Sequence, residues 1–376
     1  MTRTFLRRGA AGVALAIAVA GCGATGSSGS GSGSAILVKG STLRIVVSVP
    51  ARVKADPVAA DVVDAEKLAF LKESHEVSGF HLQLKILHGT VLSDNARRAI
   101  QDPLAIAYLG EVAPGASEQT VGITNAQQLL QVSPTDTALE LGQTTSAVPG
   151  APQSFFESWS TNGRTFGRVV PTSAQEAKAL VAKMKSMGAQ SVFVAHDGSN
   201  YGRAIAQAVR TAAAARSLKV STSQSGAGAI FYGAQSPGVA TKFFGAAART
   251  APQALLFGSS SLDTPQFRAA LSPDVKRLYV SAPGLTGGAL GPAGHSFMQT
   301  FTKAIGHRPA SQAIFGYAAM SAVLHVLAQA GTAANNRQIV VRDFMKLKMT
   351  SSVLGPFTID SSGNTSLDSF VITHVR

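Results

Sequence analysis

The chain has 376 residues, 45% of them hydrophobic, which supports a large core and excludes general disorder. A single cysteine rules out an intramolecular disulfide framework and any multi-cysteine metal site. The net charge is +13, but the basic residues are scattered and rarely interleave with aromatics, so a solvated basic surface is expected and no nucleic-acid partner.

Residues 1–22 have the layout of a secretory signal. Arg3, Arg7 and Arg8 precede an apolar run, Ala10–Ala20, that is shorter than the roughly 20 residues needed to span a bilayer. The run ends in Val19-Ala20-Gly21-Cys22, which resembles the bacterial lipobox, and the only cysteine of the chain falls there. The expectation is a lipid anchor on Cys22, with an ordinary signal and an incidental cysteine as the alternative. Residues 23–41 follow as a Gly/Ser-rich tether. Gly21–Gly26 matches GxGxxG by spacing, but it neither follows a strand nor opens a helix, so it is not a dinucleotide site.

From Leu43 the pattern alternates. Strands are expected at Leu43–Val47, Leu82–Leu87, Ala105–Leu109 and Leu129–Val132, and helices at Asp56–Lys72, Asn95–Gln101 and Gln119–Gln128. Arg168–Pro171 is extended and Ala174–Met187 is an amphipathic helix. In Ser191–Ala215, the apolar run Val192–Ala195 meets the turn formers His196–Asn200, and a helix starts at Tyr201. Further strands fall at Lys219–Thr222, Ala229–Tyr232, Ala254–Phe257 and Leu278–Ser281. Helices fall at Thr241–Arg249, Ser296–Ala304, Ser311–Gln329 and Arg337–Lys346, and two strands, Gly355–Asp360 and Ser369–Val375, close the chain. This alternation indicates an α/β protein with parallel sheets covered by helices on both faces. Ligands of such sheets collect in the loops beyond the carboxyl ends of the strands, which singles out Asp197–Tyr201.

Several segments resemble the type I periplasmic solute-binding proteins of ABC importers, in particular the Leu/Ile/Val-binding class. They are Leu109–Ser117 with Leu130–Leu141, Phe166–Gln175, Val192–Gly202, Ala229–Gly233 with Leu255–Gly258, Phe315–Ala330 and Gly355–Asn364. The resemblance implies two Rossmann-like lobes joined by a three-crossover hinge. Lobe I would be 42–166 with 284–364, and lobe II 167–283 with 365–376. It also implies a monomeric, extracytoplasmic binding protein that holds a small molecule in the interlobe cleft, needs no cofactor and passes its ligand to an ABC permease.

The resemblance further places the ligand contacts. Thr137 falls at the family's ligand-binding threonine and Tyr201 at its cleft tyrosine. A serine that contacts the ligand is replaced by Pro114, which shifts that role to Gly115 and Ser117. The acidic anchor for an α-ammonium group falls at Ser260, with Asp263 as the nearest acid. An uncharged or acidic ligand is therefore expected in preference to an α-amino acid.

No GxSxG, HExxH or GxxxxGK[ST] motif occurs, and His196-Asp197 is read as shaping its loop. The expectation is a binding protein and no enzyme. A ligand-sensing module of the same fold and a secreted hydrolase are the alternatives.

Overall fold

The computed structural model describes residues 34–375 apart from 52, 54–55, 73–74 and 286–288. The signal segment and Cys22 lie outside the described residues. The first sheet holds β1 (Thr42–Pro50), β2 (Glu76–Val77), β3 (Phe80–Gly89), β4 (Ala105–Leu109), β5 (Leu130–Ser133) and β6 (Phe166–Arg168), in the order β2-β3-β1-β4-β5-β6. The second holds β7 (Ser191–His196), β8 (Lys219–Ser221), β9 (Ala229–Gly233), β10 (Leu255–Gly258) and β11 (Leu278–Pro283). The hairpin of β12 (Lys348–Met349) and β13 (Phe357–Thr358) precedes β14 (Phe370–His374), which closes the second sheet in the order β14-β11-β10-β9-β7-β8. All pairs in the two sheets are parallel except β2–β3 and β11–β14. Every residue of β4 and β9 is buried, as expected of continuous apolar strands covered on both faces.

The helices are α1 (Pro57–Lys72), α2 (Leu92–Ile100), α3 (Val121–Ala126), α4 (Trp159–Asn162), α5 (Ser173–Ser186), α6 (Asn200–Ala215), α7 (Pro237–Thr250), α8 (Pro265–Ala269), α9 (Pro292–Ile305), α10 (Ala313–Ala330) and α11 (Arg337–Phe344). Although α9–α11 follow the second sheet in the chain, their apolar faces share one core with β1, β4 and α1. The chain therefore crosses between the two halves three times: after β6, after β11 and before β14. Helix α10 is apolar enough to cross a membrane by composition, but 67% of that stretch is buried in the protein, so its composition is that of a core helix.

Several sequence expectations are corrected. The tether ends earlier than residue 41: Val38 is 1% exposed, and Ile36 and Val38 exchange backbone hydrogen bonds with Arg337 and Asn335. The apolar Ala35–Val38 at the end of the Gly/Ser stretch docks it, with Val38 buried in the core. Strand β6 reaches Arg168, two residues past the expected lobe boundary. The expected helix Gln119–Gln128 is shorter, α3 at Val121–Ala126, preceded by a 3₁₀ turn at Ala116–Gln119. Gly355–Asp360 forms a strand only at Phe357–Thr358, paired with β12, with an isolated bridge from Ile359 to Thr365.

Gly316 sets the distance between α1 and α10: a Cβ there would lie 2.2 Å from the Val62 carbonyl oxygen. Backbone cannot yield that far without separating the helices, so Gly316→Ala should lower stability in urea by about 1–3 kcal/mol. Gly238→Ala in α7, where a Cβ meets nothing within 4 Å, should be neutral or slightly stabilising. Equal effects of the two changes would contradict this account of the α1–α10 contact.

Candidate functional site

The loops that end β7, β9 and β10 are tied to one another before they present any side chain. Asp197, just after β7, accepts hydrogen bonds from Ser199 N at 3.0 Å and, across to the β9 loop, from Gln235 N at 2.7 Å and Ser236 N at 3.1 Å. Burial alone would push this carboxyl up, but the Ser199 hydroxyl at 2.6 Å and these backbone bonds hold it below the usual carboxylate range. Ser199 caps α6 by accepting from Gly202 N, which fixes Tyr201 in the first helical turn. The β10 loop is tied down in turn, with Ser259 Oγ accepting from Ala234 N at 3.2 Å. The His196-Asp197 pair is thus loop architecture.

At the centre lies a buried polar cluster. The Ser260 hydroxyl is 3.3 Å from Thr137 Oγ1 and 3.2 Å from the Tyr201 hydroxyl. Ser260 donates through its backbone N–H to Glu176 Oε1 at 2.7 Å and through its hydroxyl to Oε2 at 3.0 Å. Ser281 Oγ, on β11, also donates to Oε1, at 2.6 Å. With its one proton on Glu176, Ser260 Oγ is left to accept from Thr137 and Tyr201. Thr137, Glu176, Tyr201 and Ser281 are fully buried and Ser260 is 4% exposed. Burial pushes the Glu176 carboxyl up to about 7, with the bonds from Ser281, Ser260 and Tyr201 opposing the rise.

The first sheet's loops are organised by a different acid. The Asp136 carboxylate accepts from Gly115 N at 2.7 Å, Ser117 N at 2.8 Å and Ala138 N at 3.0 Å, so one side chain holds the β4 and β5 loops together. Gly115 has φ +77°, and a Cβ there would lie 3.0 Å from Tyr201 Cβ, so a glycine allows the β4 loop to approach α6. The halves also meet where Asn200 Nδ2 donates to Glu118 Oε2 at 2.8 Å. Beside the β4 loop, at the carboxyl ends of β1, β3 and β4, lies a cavity of about 390 Å³ bordered by Pro50, Val91, Leu92, Ala113, Ala116 and Glu111. Glu111 is fully buried and accepts from Tyr108 OH at 2.7 Å and Ser48 Oγ at 2.9 Å. Burial raises its carboxyl to about 7 against those two bonds.

Of the residues expected at the site, Thr137, Tyr201 and Ser260 come together in the cluster. Gly115 and Ser117 lie in the adjoining β4 loop, but both N–H groups are taken by Asp136 and Ser117 Oγ accepts from Glu111 N. These bonds make both residues supports of the β4 loop. Asp263 donates its backbone N–H to the Ser260 carbonyl at 3.1 Å, but its carboxylate pairs with Arg268 at 2.5 Å and makes no bond to the cluster side chains among the described residues. The sequence reading also missed Glu176, the acid that stands against Ser260. Its signal was readable: Glu176 shares a helical stripe with the buried Leu180 and Met184, where an acid is out of place.

Because Glu111 and Glu176 bind protons more tightly in the folded chain, stability should be greatest near pH 4.5 and fall as the pH rises toward about 7. A shift of this size corresponds to roughly 3 kcal/mol per group. Thermal unfolding across this range should give a shallower slope for Glu176→Gln than for the wild type. Superimposable slopes would contradict the buried, proton-holding Glu176.

No protein-family model and no curated protein matches the sequence. Among solved structures, the fold is similar to the leucine-binding protein LivK of Thermotoga maritima, with 18% identity, TM-score 0.71, and coverage of 89% of this chain and 95% of that one. It is also similar to a substrate-binding protein of Desulfitobacterium hafniense in complex with Leu (18% identity, TM-score 0.68, coverage 89% and 98%). A solute-binding protein of R. palustris in complex with benzoate shares 15% identity with TM-score 0.65 and coverage of 89% and 93%. The chain has the type I periplasmic-binding-protein fold, the fold of the leucine- and branched-chain-amino-acid-binding proteins of ABC transporters.

Proposed function

We propose that this protein is an extracytoplasmic solute-binding protein, anchored to the membrane through Cys22, that captures a small amino-acid-like ligand between its halves and delivers it to an ABC importer. The halves act as lobes that part and close about the three crossings. The observation that carries the reading is the convergence of Thr137, Tyr201, Ser260 and Glu176, from both halves, on one buried point. Hydroxyls and one carboxyl suit recognition, and the solved structures of this fold named above are binding proteins.

Glu176 changes the expected ligand. A buried ammonium group is costly unless a carboxylate pairs with it, and Ser260 alone offers none. Glu176 lies within hydrogen-bond reach of Ser260 and supplies that charge from α5. On this reading, a ligand's ammonium displaces the Ser260 hydroxyl from Glu176. Its polar end breaks the Thr137–Ser260 bond, and its apolar part extends toward the cavity under Val91, Leu92 and Ala113. A volume of about 390 Å³ is within the range of small-ligand pockets.

A thermal-shift and calorimetric screen over amino acids, amides and carboxylates tests this. A cognate ligand at 100 times its dissociation constant should stabilise the protein by about 2.7 kcal/mol. It should carry an ammonium group, and Glu176→Gln should weaken it at least tenfold. Binding only of ligands without an ammonium group, or an unchanged affinity in Glu176→Gln, would overturn the assignment.

The anchor is tested separately. The wild type should partition into detergent, and Cys22→Ala should be released as soluble protein or retained uncleaved. A wild type that fractionates as free soluble protein would contradict it.

A further inference from the structure

We propose that the groove between Leu139–Thr145 and helices α5 and α6 is a second ligand site, which takes a small anionic amphiphile: a carboxylate on a short apolar chain. The groove encloses about 360 Å³. None of the five cluster residues lines it. On α5, Ala174 and Lys178 face it from one side of the helix, whereas Glu176, two residues from each, points the opposite way.

The lining explains the ligand class. The floor is Leu139, which is 4% exposed, and a row of alanines along α6 headed by Ala204, which is fully buried. Small residues at these positions leave a trough where larger ones would have filled it. Leu139 and Ala204 also belong to one apolar cluster that joins the first sheet's loop to α6, so the floor is a packed wall. The rim carries two cations, Lys178 and Arg216, and no Asp or Glu lines the groove. Among the described residues, neither cationic head makes an ion pair or a side-chain hydrogen bond. Gln143, Thr144 and Gln207 add neutral hydrogen-bonding groups. An apolar floor under an unopposed positive rim favours an amphiphile with an anionic head and disfavours a cationic one. The volume lies at the small end of ligand pockets, which limits the apolar part to a short chain.

Octanoate is the probe, with octylamine and octanol as matched cationic and neutral controls, in calorimetry and saturation-transfer NMR at pH 7.5. Octanoate should bind at least tenfold more tightly than octylamine, and its affinity should fall with added salt. The exposed pair Lys178→Glu and Arg216→Glu should fold normally, lose octanoate affinity at least tenfold and reverse the preference toward octylamine. Thr137→Val should leave octanoate binding intact. The proposal is overturned if octanoate does not bind, if the charge-reversed variant binds it unchanged, or if Thr137→Val abolishes binding, which would place the probe in the central cleft. The transport reading can fail without affecting these outcomes, and the reverse holds.

Discussion

The structure depends most on a single carboxyl, that of Glu176, taken fully out of water in the middle of the molecule. An acid there would be strongly destabilising if it stood alone. It is tolerated because Ser260 and Ser281 bring three donors to it from the β10 loop and β11. Those donors cannot serve two acceptors at once. Their commitment to Glu176 leaves the Ser260 oxygen as the acceptor that draws in Tyr201 from α6 and Thr137 from the opposite half. One buried carboxyl thus determines where three loops stop and where the halves meet.

The first half repeats the device with Asp136. Its carboxylate gathers backbone N–H groups of two loops that would otherwise be free at the cleft. The difference between the two acids is informative. Asp136 is spent on backbone donors and fixes shape, whereas Glu176 is met mostly by hydroxyl groups, which can rotate and exchange partners. A ligand group can replace a hydroxyl at Glu176 without unravelling a loop. Around this centre the halves are held by contacts that need no ligand, including the Asn200–Glu118 bond and the apolar packing of Leu139, Val148 and Ala151 on Ala204.

Much of this was legible in the sequence, and the reasons are physical. Fully buried strands such as Ala105–Leu109 and Ala229–Gly233 are uniform apolar runs, and their alternation with amphipathic helices specifies a parallel sheet. Thr137, Tyr201 and Ser260 were placed by register against a family pattern, and they meet in space. What was not legible is the set of interactions set by tertiary geometry. Glu176 lies 84 residues from Ser260, and nothing local says that the first turn of its helix meets the β10 loop. Gly115 and Ser117 sit in the right loop, but whether their N–H groups are free depends on Asp136, some twenty residues away.

The most direct test of the account is a crystal structure with whichever solute stabilises the protein most in the screen. The account predicts that solute between Thr137 and Tyr201, with a donor group on the Glu176 carboxylate and the Thr137–Ser260 contact broken. A solute bound elsewhere, with Thr137, Tyr201, Ser260 and Glu176 still bonded to one another, would contradict it.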